Sequence, residues 1–322
     1  MKIISLEDHF TTALHKEKTR DAARQVWYAD RSAHLGHDIE AQLMDVDAGR
    51  IAAMDAAGIS VQVLSLTTPG CQAFPGPEAT ELARDANDAM AAAVMRHPGR
   101  LLAFAALPTA NVQASVDEFE RTLAMNFLGA MINGHTMGSF LDDRKYWPIF
   151  ELAAARGVPI YLHPGAPHPG LMQSYFAGYQ DLARPAWGFA IDASTHFLRM
   201  LFAGVFDAFP KLQIILGHLG EGIPFGLHRL LDHTPYVASH RGLKKSLRDC
   251  FRENLVVTTS GAFSAEALRC TIDVMGIDNV MFSVDWPYES NLVATGFLHD
   301  FTLSHDEKEK LAFRNAERVL GL

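Results

Sequence analysis

The sequence predicts a parallel α/β fold closed as a (β/α)8 barrel, and three observations carry that reading. Eight short apolar runs are spaced along the chain, most of them continuous rather than alternating, as in strands covered on both faces. Helical patterns separate the runs, an order that builds a parallel sheet. No GxGxxG follows any of the runs, which argues against an open nucleotide-binding sheet.

The strands are expected at Ile3–Leu6, Val61–Leu66, Leu101–Leu107, Gly129–Ile132, Pro159–Leu162, Gln213–Leu216, Leu255–Thr258 and Val280–Ser283. Between the second and third, Leu82, Ala86, Met90 and Val94 recur at helical spacing within Pro77–His97, and Pro98-Gly99 ends the helix. A helix over Trp147–Arg156 stops at Gly157, a natural left-handed C-terminal position. Ser304 and Glu307 form a capping box that opens the last helix. Two connections are longer than a barrel needs: Phe10 to about Ile39 after strand one, and Pro164 to about Ala193 after strand five. Both leave the C-terminal ends of strands, where barrels build their sites, so both are expected to cover or line a pocket. No repeat, low-complexity segment or boundary interrupts the pattern, and one domain over residues 1–322 is expected.

Composition narrows the function. With 322 residues, 48% hydrophobic and 20% charged, the chain can bury a large core. A net charge of -9 argues against nucleic-acid partners. No apolar run approaches the roughly 20 residues a membrane span needs. Cys71, Cys250 and Cys270 are few, scattered and without CxxC spacing, as in a reducing compartment. No signal-like segment precedes Glu7, so a cytoplasmic location is expected.

Four strand ends carry metal-competent side chains. Glu7 and His9 are two apart on strand one and leave the same face, towards the barrel mouth. His163 ends strand five and Asp285 ends strand eight. Two imidazole nitrogens and two carboxylate oxygens suit one Zn²⁺ or Mn²⁺, with positions left for water or substrate. After strand six, Glu221 follows His218 by three residues and can reach back to fix its imidazole; His218 reads as a catalytic group, a fifth ligand or a buried structural histidine. His15, His34, His37 and His168 lie in the long connections and are candidates to line the pocket, although most of the fifteen histidines read as surface or packing residues.

Leu6-Glu7-Asp8-His9-Phe10, Gly217-His218-Leu219-Gly220-Glu221 and Phe282-Ser283-Val284-Asp285-Trp286-Pro287, in this order, resemble the metal-dependent amidohydrolase superfamily. The resemblance is to its branch of nonoxidative hydroxybenzoate decarboxylases, which act on γ-resorcylate, dihydroxybenzoate or 5-carboxyvanillate, and where ExH replaces the usual HxH. It extends over nearly the whole chain through Met54–Ile59, Ala86-Asn87-Asp88, Phe104–Pro108, Thr259-Ser260-Gly261 and Asn315–Arg318. It implies an amidohydrolase-type barrel that removes CO2 from an ortho-hydroxybenzoic acid, with Asp285 delivering a proton to the ring and His218 and Glu221 in the catalytic site. It also implies Arg229 and Tyr288 as substrate contacts and a homodimer or homotetramer. The stretch Ala130–His135 lacks the bridging lysine or glutamate of binuclear relatives, which favours a single metal. Asn133 is then either a substrate contact or a strand-end hydrogen-bonding residue. The alternative within the same fold is a metal-dependent hydrolase or hydratase acting on a lactone or an unsaturated dicarboxylic acid, since the same ligands activate water. A barrel without catalysis would have shown a missing ligand.

Overall fold

The computed structural model describes residues 1–322, the side chains of Ala22 and Ala23 apart. The strands are β1 (Ile4–Phe10), β2 (Val61–Leu66), β3 (Leu101–Ala103, resumed at Ala105–Ala106), β4 (Ala130–Asn133), β5 (Ile160–His163), β6 (Ile214–Leu216), β7 (Leu255–Thr258) and β8 (Val280–Met281). All neighbouring strands pair in parallel in sequence order. The interruption at Phe104 lets β3 serve both neighbours: Phe104 N–H donates to Leu64 O at 2.9 Å and Ala105 N–H to Gly129 O at 2.9 Å. At the other seam Asp8 bridges Trp286 in parallel, with Asp285 N–H on Glu7 O at 3.0 Å and His9 N–H on Trp286 O at 2.6 Å. These bonds tie the segment that follows β8 to β1, an arrangement consistent with a (β/α)8 barrel.

Two strands end two or more residues away from the expected bounds, each for a local reason. β1 runs on through Phe10, because its last residues pair with both β2 and the Trp286 segment. β8 stops at Met281, because Phe282 N–H turns away to Leu311 O at 2.8 Å, inside a π-helical turn at Lys310–Arg314. A π turn leaves carbonyls free of their usual helical partners.

Strand β1 also carries a bulge that the sequence does not announce. Ser5 pairs with Gln62 and Asp8 with Leu64, so three residues of β1 advance against two of β2. Plain alternation would put Ile4 and Leu6 on the face opposite Glu7 and His9. The extra residue reconciles them. Leu6 stays in the barrel interior with Val63, Phe104, Tyr161 and Met281, while Glu7 and His9 reach the mouth above it and Asp8 turns outwards to Gln62. Bulges concentrate next to active sites for this reason.

The interior cluster is capped at its base by Ala316, Val319 and Leu320 of the C-terminal helix, and a larger apolar layer packs the outer helices on the sheet. The helix between β2 and β3 occupies Gly76–Arg96, and that after β4 occupies Trp147–Arg156 with Gly157 at φ 67°. The Ser304/Glu307 capping box is present. The two long connections are helical: α1 (Ala13–Lys18), α2 (Ala22–Leu35) and α3 (Ile39–Met44) follow β1, while short helices at Pro169–Ser174 and Gln180–Ala183 follow β5. Among the described residues, no helix is long and apolar enough to cross a membrane.

Candidate active site

One ligand atom from each of Glu7, His9, His163 and Asp285 falls within 4.8 Å of the others at the C-terminal mouth of the barrel. His163 Nε2 is 3.0 Å and His9 Nε2 3.7 Å from Glu7 Oε1, and His9 Nε2 is 3.2 Å from Asp285 Oδ1. Glu7 Oε1, His9 Nε2 and Asp285 Oδ1 are buried without a hydrogen-bond partner among the described residues. Buried polar atoms left bare in a cluster are costly unless something joins them. Two imidazole nitrogens and two carboxylate oxygens converging on one point fit a divalent cation.

Glu7, His9 and His163 are each held by their second polar atom. Glu7 Oε2 accepts from Ser260 Oγ at 2.5 Å and from the Tyr161 hydroxyl. Tyr161 also meets Thr258 Oγ1 at 2.8 Å, which lies 3.0 Å from Ser260 Oγ. Ser65 Oγ sits 3.1 Å from His9 Nδ1, and His163 Nδ1 donates to Pro164 O at 2.8 Å, leaving Nε2 of both rings free to ligate. Burial would raise the Glu7 carboxyl, but the charges of His218 and His163 outweigh it and hold Glu7 well below the usual carboxylate range. Burial would lower the His9 imidazole, but the neighbouring carboxylates of Asp285 and Glu7 raise it to about 9. Burial and the Glu7 charge push the Tyr161 phenol well above its usual value, so it stays a donor to Glu7.

Beside this cluster, His218 Nδ1 lies 2.7 Å from Glu221 Oε1, the reach-back expected from their spacing. Its Nε2 faces Asp285 Oδ2 and Glu7 Oε1, each at 3.7 Å. Burial would lower His218; the carboxylates of Glu221 and Glu7 raise it well above the ordinary histidine value. The backbone there is unusual. His218, Leu219, Glu221 and Asp285 have φ of 49°, 56°, 55° and 77°, four of the six described non-glycine residues with positive φ. Such conformations persist where the surroundings dictate them, and they gather at functional sites. Gly217 is required next to them: a Cβ there would lie 2.6 Å from Glu7 Oε2 and 2.9 Å from Ser260 Oγ.

A cavity of about 1140 Å³ opens over His163, His218 and Asp285. Both long connections line it, with Trp27 and Tyr28 from α2 and Arg184 and Trp187 from the second, as their placement after strand ends led us to expect. Arg229 and Tyr288 also line it; Tyr288 stacks obliquely near His9, centroids 5.6 Å apart, and its hydroxyl meets Thr67 Oγ1 at 2.6 Å. Asn133 is not among the lining residues; its Nδ2 donates to Leu66 O at 3.3 Å at the strand end. None of His15, His34, His37 and His168 lines the cavity. His15 is buried against Thr11, and His37 Nε2 lies 2.8 Å from Pro287 O. Sequence reasoning missed Tyr161, Thr258 and Ser260. Only their linked hydrogen bonds, two of which reach Glu7, mark them, and those bonds need β5, β7 and β1, which do not adjoin in the sheet, to be brought together at the mouth.

An amidohydrolase family model matches residues 21–322. The chain belongs to the amidohydrolase family. Within it, the chain is 34% identical to a γ-resorcylate decarboxylase of Polaromonas sp. over 99% of its own length and 98% of the relative's. A γ-resorcylate decarboxylase of Rhizobium radiobacter is 35% identical with the same coverage. Among solved structures, a 2,6-dihydroxybenzoate decarboxylase complexed with 2,6-dihydroxybenzoate superposes with a TM-score of 0.90 at 32% identity, covering all of both chains. A 5-carboxyvanillate decarboxylase of Novosphingobium aromaticivorans, complexed with manganese and a nitrobenzoic acid, gives 0.91 at 30% identity over 100% of this chain and 96% of that one. The amidohydrolase thus stands in the hydroxybenzoate decarboxylase branch, as its ExH motif suggested.

Proposed function

We propose that this amidohydrolase is a metal-dependent carboxy-lyase that converts an ortho-hydroxybenzoic acid, of the γ-resorcylate or dihydroxybenzoate kind, into the phenol and CO2. The convergence of four ligand atoms within 4.8 Å, three of them buried without a partner among the described residues, carries the metal dependence, and the 34–35% identity to γ-resorcylate decarboxylases over 99% of the chain carries the choice of carboxy-lyase over hydrolase. Glu7, His9, His163 and Asp285 would hold one Mn²⁺ or Zn²⁺, and manganese in the related structures supports the former. That ion supplies Lewis acidity, favouring ionisation of the ortho hydroxyl and fixing the acid in place.

The protein's own groups divide the remaining work. Asp285 Oδ1 faces His9 within the ligand cluster, whereas Oδ2 faces His218 and the cavity. Oδ2 takes the proton of the substrate hydroxyl and passes it to the ring carbon that bears the carboxylate. The C–C bond then breaks, its electron pair restores the aromatic ring as a phenolate, CO2 leaves, and the phenolate takes a proton from solvent to give the phenol. His218, oriented by Glu221, stabilises charge on Asp285 during these transfers. Tyr288 and Arg229 bind the substrate, the arginine fork suiting a carboxylate. Asn133 supports the β4 end.

The chain acts as one domain over residues 1–322, in the cytoplasm, as a homodimer or homotetramer. Purified protein should contain about one divalent ion per chain and bleach the ultraviolet band of an ortho-hydroxybenzoic acid while releasing CO2. Full activity and full metal content in Asp285→Asn would overturn the role given to Asp285.

A further inference from the structure

We propose that Arg31 is a positioning residue that clasps the cavity-covering helix α2 to the turn carrying Asp285. The inference rests on the catalytic reading above. The guanidinium makes two bonds to consecutive residues of that turn: Nε donates to Tyr288 O at 3.2 Å, and Nη2 donates to Glu289 Oε1. Arg31 and Glu289 are both half-buried and both line the cavity. A further contact joins the same pieces, the Tyr28 and Tyr288 hydroxyls being 3.1 Å apart, and just beyond α2 His37 packs on Trp286 at 5.1 Å between centroids.

The turn needs such support. Asp285 sits at φ 77°, and Glu289 N–H closes the turn on Asp285 O at 3.0 Å. One side of the segment is pinned to β1 through Asp285 N–H and Trp286 O. The opposite side is met by α2, where Arg31 is the charged contact. A planar fork that donates at once to a carboxylate and a carbonyl sets direction as well as distance. Glu7, His9 and His163 hold the metal from other strands, so loosening the turn affects proton delivery more than metal retention.

The test is a double-mutant cycle of Arg31→Gln and Glu289→Gln on metal-loaded protein, with 2,6-dihydroxybenzoate as probe. Each single variant should lose roughly tenfold in kcat, with KM and metal content within about threefold of the parent, and the double variant should fall no further than the worse single. Hydrogen exchange should rise in both 24–35 and 285–290 of Arg31→Gln. A lower melting temperature with unchanged kcat, strictly additive losses, or faster exchange confined to the helix would each overturn the clasp. If the parent itself releases no CO2, the catalytic reading fails, and the exchange pattern still decides whether the two segments are coupled.

Discussion

Tyr161→Phe isolates one hydrogen bond at the proposed metal centre. The side chain is fully buried, and the change removes only the hydroxyl that donates to Glu7 Oε2 and meets Thr258 Oγ1 at 2.8 Å. Glu7 Oε2 keeps Ser260 Oγ at 2.5 Å, so one of its two supports is lost. A hydrogen bond to a charged group contributes about 1.5–3 kcal/mol. If that difference appears in ion binding, Mn²⁺ affinity falls by about 10- to 150-fold, in line with the effect of groups that orient ligands. Titration of metal-free protein with Mn²⁺, followed by calorimetry, measures it directly. At saturating Mn²⁺, kcat should stay within about threefold, because the hydroxyl touches no reacting atom. An unchanged Mn²⁺ affinity would refute the division of labour between the two Glu7 oxygens.

Other consequences follow from the same geometry. Gly217→Ala places a Cβ 2.6 Å from Glu7 Oε2 and should sharply reduce metal stoichiometry by elemental analysis; a full complement of metal would contradict the packing argument. Glu221→Gln leaves His218 without its 2.7 Å carboxylate and should lower kcat by roughly tenfold or more with metal retained, a result that steady-state kinetics on metal-loaded protein checks. Burial raises the Asp192 carboxyl to about 7, although Gly165 N–H bonds to it. A raised acid favours folding at low pH and opposes it as pH rises through 7, so Asp192→Asn should stabilise the protein at pH 8 by about 2–4 kcal/mol. That gain should shrink towards pH 5 in paired urea titrations; equal destabilisation at both pH values would contradict it.

Much of this arrangement was legible in the sequence because barrel strands end where their chemistry begins. His163 ends β5, Glu7 and His9 lie in the last four residues of β1, and Asp285 follows the end of β8 by four residues rather than ending it, while His218 and Glu221 are close enough in sequence for their contact to follow from spacing. Three things were not legible. The β1 bulge depends on pairing with β2, and plain alternation would have split Leu6 from Glu7 without it. The Tyr161, Thr258 and Ser260 support of Glu7 joins three strands that are distant in sequence. The early end of β8 depends on a carbonyl within a π turn some thirty residues later, which no local propensity encodes. The long connections were placed correctly as cavity walls, but their helices, and the clasp they make on the Asp285 turn, come from tertiary contacts.

The central claim is that the ring carbon is protonated as CO2 departs. Metal-loaded protein in D2O with 2,6-dihydroxybenzoate, the compound bound by the 32%-identical related decarboxylase, tests it most directly. Proton NMR should reveal resorcinol carrying a single deuterium at the carbon that bore the carboxylate, together with an equivalent of CO2. Substrate returned intact, or a product that has gained water while keeping its carboxylate, would contradict the account.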